Sequence, residues 1–382
     1  MKVAVVILNW NGKNFLEKFL PSVIQFNSIY AQIIVADNAS TDDSVNFLKL
    51  NYPQIKIIIN TTNGGFAKGY NEALKDLKYE YFVLLNSDVE VTPFWMDPII
   101  KLMDQDVNIA ACQPKILKHT PSFTAAIKPS SDLILSETGN ENEQQAELFN
   151  TGIPDTSKTD QIYFEYAGAA GGFIDKYGYP FCRGRILNNI EVDKGQYNDT
   201  CEIFWATGAC LFIRAEYFHR LQGFDEDFFA HMEEIDLCWR LKNMGYKIIY
   251  CGESKVFHVG AATLKKTNSF KTFLNFRNNL ILIFKNHPSQ FFYYKLLIRF
   301  LLDGIAGLYF LLTGEFNHCI AIIKAHFSFY FSFGKTLKKR KQLKLNVNKY
   351  TTTAVYKKSI IVDYYIRNKK TFKEIYSADP LL

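Results

Sequence analysis

Carboxylates and amides stand where several apolar runs stop, and such groups can hold nucleotides, cations and protons. Asn9 follows the run at 3–8 in Asn9-Trp10-Asn11-Gly12, and Asp37 follows the run at 33–36 in Asp37-Asn38-Ala39-Ser40-Thr41-Asp42-Asp43. A nucleobase and a ribose present N–H and O–H groups that need acceptors, so Asp37 is expected to recognise the base, with Asn9 beside it. Ser40 and Asp43 also have capping-box spacing, a use that leaves Asp37 free. After the run at 55–59 comes Asn63-Gly64-Gly65-Phe66-Ala67-Lys68-Gly69-Tyr70-Asn71. Missing side chains admit a ligand close to backbone, and the helix that opens there favours anions, which makes Asn63, Gly65 and Asn71 candidate nucleotide contacts. A plain turn into a helix explains the pattern about as well. It is neither a GxGxxG fingerprint nor a P-loop.

Asn86-Ser87-Asp88 ends the run at 81–85. Asp88 is placed to hold a divalent cation that bridges phosphates, although a strand-terminating turn also accounts for it. His258 closes the run at 256–258 and offers an imidazole to the same cation, against the commoner case of a satisfied polar histidine. Residues 223–237 form the most concentrated acidic stretch. Acids at a helix start suit the dipole, and Asp236 has i, i+4 spacing to Arg240. Glu233 and Glu234, adjacent among Phe228, Phe229 and Met232, repel each other and lose solvent, which raises a pKa and suits one of them to general-base work. Asp236, Arg183 and Arg185 are carried as candidate acceptor or phosphate contacts; for the two arginines, solvated loop charges are the commoner case.

The elements that must position these residues are legible from periodicity. The apolar runs at 3–8, 33–36, 55–59 and 81–85 alternate with amphipathic stretches near 13–26, 42–50 and 67–78, which predicts an α/β fold with parallel strands covered on both faces. Residues 118–161, rich in Pro, Ser, Gly and polar side chains, read as a mobile insertion. Order returns with a strand through 204–213, a helix through 232–243 and strands at 246–250 and 256–258. The reading is a catalytic unit over 1–265, an aromatic, basic helical extension over 266–335 and a basic tail over 336–382.

The 382 residues are 48% hydrophobic and 21% charged, enough to bury a core and too apolar for a disordered chain. Residues 1–263 hold 23 basic and 33 acidic side chains, whereas 264–382 hold 21 and 5, so the C-terminal part suits an anionic partner. Within 291–312, Lys295, Arg299 and Asp303 fall at i, i+4, i+8, which predicts a helix lying in a membrane interface with aromatics inward and cations toward headgroups, or else a helical cap on the protein's own core. A second such helix covers 316–333. Nucleic acid is not expected, because the aromatics sit in apolar helical stretches. The seven cysteines form no CxxC pair, which fits a reducing cytosol without zinc or disulfides. The apolar N-terminus is too short for a signal peptide and reads as a buried strand.

Taken together, VVILNWNG, VADNASTDDS, NGGFAKGYNEA, LLNSDVEV, WATGACLFIRAEYF, GFDEDFFAHMEEIDLCWRLKNMGY and VFHVG resemble the family-2 inverting glycosyltransferases, rhamnosyltransferase-like members especially, over residues 3 to about 285 including Phe276-Arg277-Asn278-Asn279. The resemblance implies a GT-A fold, a Rossmann-like mixed sheet here followed by a C-terminal helical extension. It implies that Asp37 reads the base, that Asn86 and Asp88 stand at the metal and ribose-diphosphate motif, that His258 completes a Mn2+ or Mg2+ site, and that Glu234 is the base with Glu233 as its fallback. Asn86 stands where the family often has Asp, and Glu234 where Asp is common. The donor would be dTDP-rhamnose or a UDP-sugar, and the acceptor a glycan or lipid-linked saccharide at the inner face of the cell membrane. The rival readings are a non-catalytic sugar-nucleotide or glycan-binding protein of a membrane assembly complex, and a nucleotidyltransferase. The latter would carry a basic glycine-rich loop after its first strand.

Overall fold

The computed structural model describes residues 1–120, 161–260, 268–287, 292–344 and 353–377. The first four strands, β1 (Val3–Asn9), β2 (Ala31–Asp37), β3 (Lys56–Ile59) and β4 (Tyr81–Asn86), are parallel, with β1 between β2 and β4. Their side chains alternate between two cores. Val3, Val5 and Ile7 face one cluster with Leu16, Leu20 and Val23, while Ala4 and Val6 face the other with Tyr70, Ala73 and Leu74. Fully burying a Val or Ile is worth about 1.5–3 kcal/mol, and a one-residue slip would exchange the two faces, so the register is strongly fixed. That register pairs Asn9 with Asp37 and Leu8 with Asn86, bringing the polar strand ends to one edge.

The sheet continues through β5 (Val89–Val91), β6 (Ile109–Lys118), β11 (Thr200–Ile203), β12 (Cys210–Arg214) and β13 (Lys247–His258). Its order is β11-β13-β6-β12-β4-β1-β2-β3, with β5 pairing the end of β13. Because β12 runs antiparallel to both β4 and β6, the sheet is mixed. The stretch expected as one strand over 204–213 divides: residues 204–209 leave the sheet, where Thr207 N–H donates to the Gln113 side chain at 2.9 Å. The two strands expected at 246–250 and 256–258 are instead one bulged strand, its register shifting between Cys251 and Lys255.

A second sheet, ordered β10-β9-β8-β7-β14, comprises β7 (Gly172–Asp175), β8 (Pro180–Cys182), β9 (Arg185–Ile186), β10 (Asn189–Ile190) and β14 (Val355–Tyr356). The segment expected as a basic tail thus contributes a strand, and Phe372 packs on Phe173 with ring centres 5.0 Å apart. The expected insertion lies, for residues 121–160, outside the described residues.

Helices Ser269–Asn286, Phe292–Leu312, Phe316–Phe331 and Phe333–Lys344 form the C-terminal extension. Its orientation corrects the sequence reading. Arg299 and Asp303 are buried and face the protein, paired at 2.9 Å, while the apolar stripe of the same helix is exposed. The guanidinium lies 3.7 Å from the Tyr179 ring centre, and His326 reaches Asp303 at 3.2 Å. These partners lie on other elements and remove the charges from any lipid-facing side. Among the described residues no helix is long and apolar enough to cross a membrane.

Candidate active site

Four strand ends build the first half of the site. Asn9 is buried and donates to Asp37 Oδ1 at 3.0 Å; Asp37 Oδ2 accepts from Ser40 N–H at 2.9 Å. The capping-box expectation is corrected here, because the helix starts at Ser44 and Asp42 accepts from both the amide and the hydroxyl of that residue. Ser40 Oγ instead accepts from Asn11 N–H at 2.9 Å, tying the first two strand-end loops together. Asn63 Oδ1 accepts from Gly65 N–H at 3.0 Å and from Asn38 Nδ2 at 2.9 Å, which shapes the glycine turn. Gly65 has φ +78°, and a side chain there would strike the Phe229 carbonyl and ring. Asn71 does not face an open site: its amide donates to Phe224 C=O at 2.9 Å and its oxygen accepts from Phe224 N–H at 2.9 Å, clasping the acidic loop.

The pairing of His258 with Val89 brings this histidine beside Asp88. Nε2 lies 3.1 Å from Asp88 Oδ1 and 3.5 Å from Asn86 Nδ2, and Nδ1 lies 3.3 Å from Glu165 Oε2. Burial alone would depress the imidazole pKa, but the hydrogen bonds and charges of Asp88 and Glu165 prevail and raise it to about 10. Glu165 is buried too; burial would raise its pKa, but the His258 contact holds it below its usual value. Sequence reasoning gave Glu165 no role, since a single acid in FEYAGAAGG carries no spacing signal. Among the described residues no three His, Cys, Asp or Glu side chains converge as a metal cage. Asp88 and His258 supply a carboxylate oxygen and, once Nε2 gives up the proton it shares with Asp88, an imidazole nitrogen from neighbouring positions, a mixed donor pair that suits Mn2+ when phosphates and water provide the remaining ligands.

The second half is the loop before helix Glu233–Asn243. Phe229, His231 and Met232 all have left-handed backbones, with φ of 61°, 68° and 75°, conformations that cost non-glycine residues roughly 1–3 kcal/mol each. Asn278 compensates: its buried amide donates to the carbonyls of Phe228, Ala230 and His231 at 2.9, 2.9 and 2.7 Å. Arg277 adds bonds to the carbonyls of Asp227 and Phe228 at 3.0 and 3.2 Å. Asp225 and Asp227 are anchored by Lys285, Lys335 and Lys339.

Glu233 and Glu234 emerge from this loop at the helix start. Burial, then the neighbouring Glu234 charge, pushes the Glu233 carboxyl well above its ordinary pKa. Burial likewise raises Glu234 to about 7, against the backbone amides that favour its ionised form. Each has a buried Oε2 without a hydrogen-bond partner among the described residues, and neither carboxyl is held in a salt bridge there, an arrangement that can accommodate a proton transfer.

The halves meet. Phe229 C=O accepts from Phe66 N–H at 2.8 Å, and the loop 204–209 links Phe66, Asn86 and the acidic helix. A side chain at Gly208 would lie 2.9 Å from Phe66, Asn86 N–H donates to Ala209 C=O at 3.0 Å, and Ala206 N–H reaches Cys238 at 3.5 Å. The three remaining candidates have structural partners. Asp236 is buried with Arg240 at 2.8 Å and with Lys285 and Asn286 at 2.7 Å. Arg183 binds Asp199 at 2.9 Å between the rings of Tyr197 and Tyr250, and Arg185 is buried, stacked 4.1 Å from the Tyr166 ring centre.

Residues 4–167 match the sequence family described as Glycosyl transferase family 2. The N-acetylglucosaminyl-diphospho-decaprenol L-rhamnosyltransferase of Mycobacterium tuberculosis is 22% identical over 265 residues, covering 66% of this chain and 75% of the relative. A dTDP-rhamnosyl transferase, RfbG of Shigella flexneri, is 30% identical over 87 residues, 21% of this chain and 30% of that protein. The crystal structure of GalNAc-T7 with UDP, GalNAc and Mn2+ superposes with a TM-score of 0.50 at 17% identity, over 74% of this chain and 47% of that one. That likeness places the fold among GT-A glycosyltransferases.

Proposed function

Because this chain is a family-2 glycosyltransferase, rhamnosyltransferase-like and of GT-A fold, we propose that it transfers a sugar with inversion from a nucleoside-diphosphate sugar, dTDP-rhamnose or a UDP-sugar, to a glycan or lipid-linked saccharide. The observation that carries this reading is the adjacent pair of carboxyls, Glu233 and Glu234, each with one oxygen that has no hydrogen bond among the described residues, on a strained loop joined to the strand ends through Gly65 and Phe229. A binding module has no use for two adjacent acids that each keep one oxygen unsatisfied, at a cost of about 1–3 kcal/mol apiece.

Asp37 and Asn9 would accept from the base and ribose, and the glycine turn at 63–65 would lie along the donor. Asp88 and His258 would hold the divalent cation, with Glu165 steadying the imidazole. When bound, the cation neutralises charge on the departing nucleoside diphosphate. Glu234 takes the proton from the acceptor hydroxyl. The new bond from that oxygen to the anomeric carbon forms as the bond to the diphosphate oxygen breaks on the opposite face. The proton ends on Glu234, the electron pair leaves with the diphosphate, and no covalent enzyme intermediate arises. The acceptor class follows the name of the mycobacterial relative, whose substrate is borne on a lipid diphosphate, and implies work at a membrane surface. A panel of nucleotide sugars assayed with Mn2+ for donor hydrolysis tests the reading: release of nucleoside diphosphate from one donor supports it, and silence toward every donor refutes it.

A further inference from the structure

The helical hairpin over 292–331 has its charges turned inward and its apolar residues outward. Arg299 and Asp303 face the protein with Leu296 and Gly307. The opposite stripe of that helix, Tyr294, Leu297, Leu301, Ile305, Leu308 and Leu312, recurs every three or four residues without a charge, each side chain 54–78% exposed. On the next helix Phe316, Ile320, Ile323, Phe327 and Phe331 repeat the pattern at 48–87% exposure. A buried Arg–Asp pair beneath a bare apolar surface is the reverse of a helix that meets water, and contiguous apolar patches beyond a few hundred Å² mark interaction sites.

Charge identifies what covers it. The helix Phe333–Lys344 follows directly and exposes Lys338, Lys341 and Lys344, and of the nine basic side chains in residues 292–344, against two acidic, Arg299, Lys335 and Lys339 are paired with Asp303, Asp227 and Asp225. Exposed Tyr293, Tyr294, Tyr309 and Tyr330 lie near the ends of the two helices, where amphipathic rings suit headgroups. A second copy of the chain would bring a second lysine-rich helix to the same surface and repel the first. An anionic bilayer accommodates both features, the apolar stripes among the acyl chains and the lysines among phosphates.

We propose that the outward stripes of the hairpin, with the lysines of Phe333–Lys344, form the surface by which this chain lies in the interface of an anionic phospholipid bilayer. The purpose of that surface rests on the lipid-borne acceptor proposed above, but its binding does not. The full chain is sedimented with vesicles of phosphatidylcholine, with and without phosphatidylglycerol. Binding to the anionic vesicles is expected, with a loss of at least about tenfold in Leu301→Glu/Phe327→Glu, because charges enter the acyl region. Reversing Lys338 and Lys341 to Glu should cost about fivefold per residue. Leu301 and Phe327 are exposed rather than in the core, so thermal melting and donor hydrolysis in solution should stay near wild-type values. Failure of the wild type to bind either vesicle overturns the proposal, as does unchanged binding by the double variant. A wild-type dimer that the double variant dissociates without altering vesicle binding assigns the stripes to self-association and also overturns it. A chain that binds vesicles as stated yet turns over no donor leaves this surface standing and sinks the glycosyl-transfer reading.

Discussion

At the strand ends, Asp37 accepts two hydrogen bonds from Asn9 and Ser40, and Asn63 closes its own turn. In the acidic loop a few residues away in space, Phe229, His231 and Met232 are held left-handed and Glu233 and Glu234 each keep a buried oxygen unpartnered. The first region is preorganised by these bonds, although the buried Asn9 oxygen has no hydrogen bond among the described residues and is left to accept one from a ligand. The second stores strain and unpaired carboxylate, which the chain tolerates because Asn278 and Arg277 fasten the loop from the following helix. On the proposed reading the hydrogen-bonded strand ends would bind the donor and the strained acidic loop would carry the base.

Removing one group from each region tests the contrast. The largest effect is expected from Asp88→Ala, which removes the carboxylate proposed to hold the cation and should abolish transfer together with the metal-dependent part of donor binding. Donor affinity that rises with Mn2+ as in the wild type would contradict this. Glu165→Gln is expected to weaken Mn2+ binding by about 10–100-fold, the range for a group that orients a ligand, read by calorimetric titration of metal with no donor present. On the other side, Asn278→Ala should lower stability by about 1–3 kcal/mol, since three carbonyls lose a donor, and reduce turnover without changing nucleotide affinity. Equal losses in turnover and nucleotide affinity would show that the two regions are one. The smallest effect is expected from Arg185→Ala, whose buried guanidinium stacks on Tyr166 and donates to the Leu187 carbonyl: the acceptor Michaelis constant should not move.

The strand-end half of the site was also the legible half. Runs apolar throughout announced parallel strands, and parallel register alone brings Asn9, Asp37 and Asn86 to one edge. Local spacing misled where a competing partner won: Ser40 has capping-box spacing to Asp43, yet Asp42 is nearer to the Ser44 amide and takes the cap. Asn71 sits in the glycine motif but is claimed by the Phe224 backbone, a partner distant in sequence. Glu165 acquires meaning only from His258, and Asn278 only from the carbonyls of the acidic loop. The hairpin reversed expectation for the same reason, since Tyr179 and His326, which shelter Arg299 and Asp303, lie on other elements. Periodicity reports a helix face without saying which side it turns to the protein.

The central claim is that Glu234 is the base, and the pH dependence of transfer tests it most directly. With burial raising its pKa to about 7, Glu234 is protonated and inactive below that value and ionised above it. The wild-type kcat/KM should therefore climb through an apparent pKa near 7, a value belonging to the coupled Glu233–Glu234 pair. Stability should move oppositely, falling as pH rises from the ordinary carboxyl range toward 7, because the folded state holds the proton that the unfolded chain releases. Glu234→Gln should lower turnover by about 10²–10⁴-fold, retain donor binding and lose the rising limb, with Glu233→Gln doing less. A Glu234→Gln profile that keeps both its limb and its rate would contradict the account, and the reverse ranking of the two variants would move the base to Glu233.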